Sequence, residues 1–285
     1  MSSVPNRSRT QASARELQIQ TLDIRGRQLR VGVWPGNPAK VPLLLFNGIG
    51  GTLELMAPFV DTLGDVEVIA FDVPGTGGSA PPRLPYRLWM LARLASRVLD
   101  ALGYGRVDVL GVSWGGAFAQ QFALQNPRRC RRLILAATSQ GTLMMPGSLS
   151  VLFKMMSPRR YNDPAYREKI FGMIYGGAAR TKPELLAKVA AHMRPTSRRG
   201  YLLQQLAIAG WTSVPWLPFV RQPTLVMAGD DDPIIPLVNA KLMTRLIPKA
   251  RLHVLHDGHM FLLSSPDESA TAVLGFLGAK GTWPA

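Results

Sequence analysis

Ser113, Asp232 and His259 are of the types that nucleophilic attack on a carbonyl carbon requires. Leu110-Gly111-Val112-Ser113-Trp114-Gly115-Gly116-Ala117 carries a G-x-S-x-G signature directly behind the apolar run Val107, Val109, Leu110. A serine at a strand end, entering a small-residue helix through a tight turn, has its hydroxyl raised above the sheet where a substrate reaches it. A Cβ at Gly111 or Gly115 would collide across such a bend, and Gly116, Ala117 and Ala119 let the following helix lie close to the sheet. A serine hydroxyl is a poor nucleophile at neutral pH, so it needs a histidine to take its proton and an acid to hold that histidine in one tautomer.

Four histidines compete for that role. After a strand-serine-helix elbow the partners follow in the order acid, then histidine, with the histidine beyond the last strand. His259, in Asp257-Gly258-His259, stands just past an apolar run at 251–255 and fits. His253 falls inside that run and His256 at its edge, so both read as structural or surface residues, and His192 could at most line a pocket. For the acid, Gly229-Asp230-Asp231-Asp232-Pro233 follows the run at 223–228, on the strand-end side where the site must lie. Asp232, three residues past the glycine and just before Pro233, is the expected acid, with Asp230 second. Thr138 and Ser139, after the preceding strand, offer no competitor. The negative charge formed during attack needs two backbone N–H donors: Trp114, directly after the nucleophile, and Ile49, in the glycine-rich Asn47-Gly48-Ile49-Gly50-Gly51 loop.

The elements that must position these groups are legible in the hydropathy pattern. Residues 17–24 and 28–34 alternate apolar with polar around Arg25-Gly26-Arg27, an opening hairpin with one exposed face. Residues 42–46, 66–71, 106–110, 132–136, 223–228 and 251–255 are short, continuously apolar runs, the form of parallel strands buried on both faces. Helical spacing fills the intervals at 53–63, 87–102, 114–125, 237–247 and 266–277, the last with Ser265, Pro266 and Glu268 forming a capping box. The alternation predicts a doubly wound, mostly parallel eight-stranded α/β sheet. It stops at 139–221, a stretch rich in Met, Pro, Arg and aromatics, with helix starts at Asp163-Pro164 and at Thr181 with Glu184. This stretch reads as a helical cap inserted after the sixth strand, hanging over Ser113. The expected organisation is a disordered arm at 1–15, a core of 16–138 and 222–285, and a cap of 139–221.

Composition narrows the classes. With 285 residues, 47% of them hydrophobic, the chain can bury one large core. Gly, Pro or Arg interrupts every apolar segment before the roughly 18 residues a bilayer helix needs. Residues 1–15 are polar and arginine-bearing without an apolar stretch, so a cytoplasmic protein is expected. One cysteine, Cys130, excludes an intrachain disulfide, and its place between Arg129 and Arg131 suggests a surface-adjacent thiol. The net charge of +15 gathers at Arg128, Arg129, Arg131, Arg132, then Arg159, Arg160, and Arg198, Arg199. These clusters lack the interleaved aromatics of a nucleic-acid reader, so a solvated face or attraction to an anionic surface is expected instead. Gly75-Thr76-Gly77-Gly78-Ser79-Ala80 approaches a dinucleotide fingerprint, but Pro81-Pro82 stands where a helix must begin. With Asp72-Val73-Pro74-Gly75 it reads better as a loop on the rim of a pocket.

Taken together the chain resembles an α/β-hydrolase over nearly its whole length, and more narrowly the intracellular medium-chain-length polyhydroxyalkanoate depolymerases. The resemblance is carried by Phe46-Asn47-Gly48-Ile49-Gly50, Ala70-Phe71-Asp72-Val73-Pro74-Gly75, Gly111-Val112-Ser113-Trp114-Gly115-Gly116 and Ala228-Gly229-Asp230-Asp231-Asp232-Pro233. It extends to Ser157-Pro158-Arg159-Arg160-Tyr161, Ile174-Tyr175-Gly176-Gly177 and Gly210-Trp211-Thr212-Ser213, which are peculiar to the narrower group. Asn47 stands where many hydrolases carry histidine. The resemblance implies Ser113, Asp232 and His259 as a triad, a cytoplasmic place on polyester storage granules or their coat, and no cofactor. Long alkyl side chains on the substrate would need an apolar enclosure, for which Met144, Met145, Leu152, Phe153, Met155, Met156, Trp211, Trp216 and Phe219 are the candidates. The same scaffold also serves general carboxylesterases, enol-lactone hydrolases and carbon-carbon bond hydrolases. A catalytically silent granule-binding protein is the alternative outside enzymes. Epoxide hydrolases and haloalkane dehalogenases are disfavoured because they need an aspartate where Ser113 stands.

Overall fold

The computed structural model describes residues 15–157, 159, 163–194 and 197–279. Eight strands, β1 (Gln18–Asp23), β2 (Gln28–Trp34), β3 (Leu43–Phe46), β4 (Val68–Phe71), β5 (Val107–Val112), β6 (Cys130–Ala136), β7 (Thr224–Gly229) and β8 (Ala250–Leu255), form one sheet in the order β1-β2-β4-β3-β5-β6-β7-β8. The opening hairpin pairs antiparallel through β2 onto β4, and every other pairing is parallel. Around the sheet lie α1 (Ala57–Asp61), α2 (Leu88–Ala101), α3 (Trp114–Gln125), α4 (Leu149–Met156), α5 (Pro164–Tyr175), α6 (Ala178–Thr181), α7 (Pro183–His192), α8 (Arg198–Ile208), α9 (Leu237–Leu246), α10 (Phe261–Ser264) and α11 (Pro266–Gly278). The sheet is the doubly wound, mostly parallel eight-stranded one that the strand-helix alternation predicts.

The two-residue period of a strand explains both layers of the core. Leu44, Phe46, Val107, Val109, Leu133 and Leu135 face one way, onto α2 and α3, and Phe46 stacks on Phe118 at 3.8 Å. Leu43, Leu45, Leu110, Ile134 and Ala136 face the other, onto α1 and α11. β8 departs from the expected buried run: it is the edge strand beyond β7, mostly half-buried, and Val254 is exposed. Strand order reverses between β3 and β5, whose ends meet where Phe46 pairs with Gly111. Connections there run to opposite faces and leave a crevice at the carboxyl edge of the sheet, between the Asn47 loop and Ser113.

Helices α4 to α8 all lie between β6 and β7. The two ends of this segment are tied to each other: Thr142 N donates to Trp211 O (2.8 Å), Ser213 N donates to Gln140 O (3.0 Å), and Gly141 bridges Thr212. Asp163 caps α5 by accepting from Tyr166 N (2.9 Å), as expected. The other two expected caps do not form. Helix α7 starts at Pro183 behind Lys182, because Thr181 is itself the last residue of α6, and Ser265 precedes α11 without capping it, its hydroxyl donating to Asp257 instead. Residues 1–14 lie outside the described residues; Arg15 is docked on the core, donating to Val60 O (2.8 Å), Val66 O (2.5 Å) and Pro35 O (3.2 Å).

Two surface expectations are corrected. Cys130 is 2% exposed, because as the first residue of β6 it turns into the core, and burial pushes its thiol pKa far up. The arginines beside it are structural rather than a solvated face. Arg129 pairs with Asp100 (2.7 Å), Arg131 with the buried Asp108 (2.5 Å), and Arg132 donates to Leu277 O and Ala279 O.

A charged cluster fastens the helical segment to the core. Glu54 receives two hydrogen bonds from Arg30 (2.6 and 3.3 Å), and Arg194, just beyond α7, reaches it at 2.7 Å. Burial alone would raise the Glu54 pKa, but Arg30, the Glu54 amide and the Thr52 hydroxyl outweigh it and bring the value from 4.5 to about 2. A lowered carboxylate pKa contributes stability that is complete above about pH 4.5 and lost as pH falls towards 2. Glu54→Gln should therefore flatten the acid limb of stability over that interval while wild type loses stability steadily, read from urea midpoints at successive pH values.

Candidate active site

Ser113 occupies the turn between β5 and α3 with φ 54° and ψ −119°. This left-handed conformation is costly for a residue with a side chain, and persists because its neighbours leave no alternative. Ser113 N donates to Ala136 O (2.9 Å), and Ser113 O accepts from Gly116 N (2.8 Å) and the Thr138 hydroxyl (2.7 Å). The small residues around it are required sterically. A Cβ on Gly115 would stand 2.1 Å from Phe46 O, and one on Gly111 2.2 Å from Gly115 O.

The structure brings the three side chains singled out in the sequence into one hydrogen-bonded line. His259 Nε2 lies 3.0 Å from Ser113 Oγ, and His259 Nδ1 lies 2.7 Å from Asp232 Oδ2. With Nδ1–H donating to the carboxylate, Nε2 is left to accept from the serine hydroxyl. Asp232 is fixed in turn: its Oδ1 accepts from Ile234 N and Ile235 N, both at 2.9 Å. Its side chain is almost fully buried, which strengthens the pull on the imidazole. The second-choice acid goes elsewhere, since Asp230 pairs with the exposed His256 at 2.5 Å. His253 sits within β8, and His192 lies half-buried on α7, away from Ser113.

The loop after β3 lies beside the serine. Asn47 Nδ2 donates to Thr52 O (2.9 Å), so the asparagine closes this loop on itself. Gly50 N is taken by Gln204 Oε1 (2.8 Å), whereas Ile49 lines the cavity over Ser113. Trp114 is the first residue of α3, where an amide has no intrahelical acceptor. The Asp72 loop, expected on a pocket rim, lines neither cavity at Ser113; Asp72 is buried and accepts from Leu53 N, Gly78 N and Arg30, each at 3.0 Å, which braces the loop internally.

Ser113 and His259 open into a cavity of about 100 Å³ that Ile49, Leu55, Val112, Met155, Tyr175 and Met260 help to line. Ile49, Leu55, Tyr175 and Met260 also line an adjoining chamber of about 70 Å³ that ends among Ile170, Phe171, Leu186, Val189, Arg167 and Arg194. The walls therefore differ from those expected. Among the eight candidates whose side chains are described, only Met155 lines the serine cavity; Trp211 and Trp216 pack on each other at 5.8 Å, and Met145, Phe153 and Phe219 are exposed. The side chain of Met156, like most of the stretch 157–161, falls outside the described residues.

Three residues with evident parts in the site were assigned no role from the sequence. Tyr175 O accepts from His259 N (2.7 Å), and its ring lies near-parallel to the imidazole at 6.4 Å. Asp257 holds the histidine loop. Gln204, buried on α8, joins three parts at once: its amide accepts from Gly50 N and donates to Thr76 Oγ1 (2.5 Å), and its main-chain O accepts from the Trp114 indole (3.0 Å). A lone glutamine on a helix face looks like any solvated residue until the fold places it. Gln204→Leu removes the side-chain acceptor that Gly50 N uses beside Ile49 and should lower kcat on a soluble ester about tenfold, by analogy with direct loss of an oxyanion donor, which costs about 10²–10³. Wild-type turnover by that variant would remove Gln204 from the site.

Comparison with known proteins agrees with this geometry. Residues 41–266 match the family model described as alpha/beta hydrolase fold. The chain is 51% identical over 260 residues to a poly(3-hydroxyalkanoate) depolymerase of Ectopseudomonas oleovorans, covering 91% of this chain and 92% of the relative. It is 30% identical over 236 residues to a 2-hydroxy-6-oxo-6-phenylhexa-2,4-dienoate hydrolase of Comamonas testosteroni, covering 78% and 80%. Among solved structures, a hydrolase from Pseudomonas aeruginosa superposes with a TM-score of 0.78 at 28% identity, over 92% of this chain and 98% of that one. An eight-stranded sheet reversed at the β3–β5 junction, a serine strained into a strand-helix elbow and a family match spanning the core lead to one assignment: the chain belongs to the α/β-hydrolase fold family.

Proposed function

We propose that this protein is a serine esterase that hydrolyses the ester bonds of a medium-chain-length poly(3-hydroxyalkanoate), releasing 3-hydroxyalkanoic acids through an acyl-enzyme on Ser113. The observation that carries the reading is the apolar chamber continuing from the Ser113 cavity, a place for an alkyl side chain beside the reacting carbonyl. The 51% identity to a protein named for this activity supports the substrate class. Ser113, Asp232 and His259 form the catalytic triad. His259 Nε2 takes the proton as Ser113 Oγ bonds to the ester carbon, and the Ile49 and Trp114 amides hold the resulting oxyanion. The tetrahedral carbon then expels the 3-hydroxyl oxygen of the neighbouring unit, which receives the proton from His259. Water, deprotonated by the same imidazole, cleaves the acyl-enzyme and restores the serine.

Residues 139–221 act as a cap over this site, between core segments 16–138 and 222–285. Its outer surface supports association with a polyester granule. Leu143, Met145, Leu149 and Phe153 are all exposed, Phe153 at 72%, while Met155 on the same helix lines the serine cavity. Four large exposed apolar side chains within eleven residues of chain favour a contact surface there. Among the described residues no helix is long and apolar enough to cross a membrane.

The test is product analysis. Wild-type protein incubated with medium-chain polymer should release hydroxyacids, and should do so faster than from short-chain polymer. Turnover of soluble 4-nitrophenyl esters without release from either polymer would instead identify a general carboxylesterase, and turnover of a vinylogous diketone alone would identify a carbon-carbon bond hydrolase.

A further inference from the structure

Asp257, two residues before His259, is 3% exposed, and its carboxylate accepts from four donors: one in its own loop, one in α6 and two at the junction of α10 and α11. Oδ1 accepts from Gly258 N (2.7 Å) and from Ala178 N (2.9 Å), the first residue of α6. Oδ2 accepts from the hydroxyls of Ser264 (2.6 Å) and Ser265 (2.8 Å), at the junction of α10 and α11. Its main-chain O accepts from Asp231 N (3.1 Å), next to the triad acid. A carboxylate withdrawn from water is tolerated only with such a set of partners, so each partner is also held in place by it.

The surrounding glycines show how closely these segments are pressed together. A Cβ on Gly177, whose φ is +46°, would lie 2.0 Å from Gly258 N and 2.3 Å from Asp257 Oδ1. A Cβ on Gly258 would lie 2.0 Å from Tyr175 O. Beside this contact, His259 N donates to Tyr175 O, and Gly177 N donates to Asp231 Oδ2 (2.7 Å). The Tyr175 to Ala178 stretch is thus bonded both to the histidine loop and to the acid turn, and cannot swing away without disturbing them.

We propose that Asp257 is a positioning residue for the general base: it locks the His259 loop to α6 and to the α10–α11 junction, so that Nε2 stays in line with the Ser113 hydroxyl. The proposal rests on Ser113 and His259 working as nucleophile and base. It makes the segment joining α5 to α6 part of the base's mounting, while the triad acid governs the tautomer.

The test uses Asp257→Ala, Asp257→Asn and the double variant Ser264→Ala with Ser265→Ala. The readouts are the rate and end-point stoichiometry of fluorophosphonate labelling at Ser113, with kcat and KM on a soluble 4-nitrophenyl ester. The expected result for Asp257→Ala is an unchanged end point per mole of protein, with labelling rate and kcat falling together by about 10²-fold, as for small misplacement of a catalytic group, and KM within about twofold. Asp257→Asn, which keeps an oxygen for the Gly258 and Ala178 amides, should recover most of that loss. The double serine variant should lose about tenfold and serves if Asp257→Ala does not fold. Labelling at the wild-type rate, or a reduced end point with an unchanged rate in the remaining fraction, overturns the positioning role and leaves the triad standing. Failure of wild-type Ser113 to react with the reagent at all would overturn the triad itself.

Discussion

Ser113→Ala should lower kcat by about 10⁴–10⁶-fold on polymer and soluble esters alike, the range found when a serine nucleophile is removed from a triad. No hydroxyl then lies 3.0 Å from His259 Nε2, so an acyl-enzyme cannot form. A residual rate above that in water should survive, because the Ile49 and Trp114 amides, the proposed oxyanion donors, remain to stabilise the charge that develops when water attacks directly. KM for a soluble ester should stay within a fewfold, since the cavity walls are untouched. Stability should also change little: alanine bears the same left-handed strain at φ 54° as serine does. Kinetics on purified variant, with a melting curve as control for folding, checks all three. Release of hydroxyacids from polymer by this variant at even a hundredth of the wild-type rate would end the acyl-enzyme mechanism.

Asp232→Asn should be nearly as damaging, lowering kcat by about 10⁴-fold with little change in KM. The reason is the tautomer. The carboxylate accepts from His259 Nδ1–H, leaving Nε2 without a proton and able to take one. An amide turned to keep the Ile234 and Ile235 N–H bonds to its oxygen presents an NH₂ to Nδ1, which then must accept, and the proton moves to Nε2 facing the serine. The imidazole becomes a donor where a base is needed. Asp230→Asn is the internal control. That carboxylate lies two residues away in the same turn but pairs with exposed His256, so its loss should leave kcat within about twofold. Equal losses from the two variants would show that the turn as a whole matters and not the hydrogen bond to His259.

Much of this molecule is legible in its sequence because the signals are local. Apolar runs too short for helices, separated by helical spacing, specify a parallel sheet buried on both faces, and G-x-S-x-G behind one of them specifies a strained elbow through steric demands on its immediate neighbours. Asp232 and His259 were readable for the same reason: each follows a strand at the edge where the serine emerges, and chain order selects among competitors. Local signals also misled where a distant partner claimed the group. Ser265 has the spacing of a helix cap, yet its hydroxyl serves Asp257. Cys130 lies among arginines in sequence but inside the core in space, because strand periodicity and not its neighbours' charge sets its direction.

By itself, then, the sequence determined the sheet, the elbow and the three groups of the hydrogen-bonded line, all properties of segments a few residues long. Only the tertiary structure decided which residues enclose that line. Ile170, Phe171, Leu186 and Val189 become the chamber walls, Gln204 reaches the loop at Gly50, and Asp257 meets Ala178. Each of those contacts involves a helix whose facing is fixed by how α5 to α8 pack over the carboxyl edge of the sheet. Helical periodicity tells which residues share a face, but it carries no information about which other face they will meet.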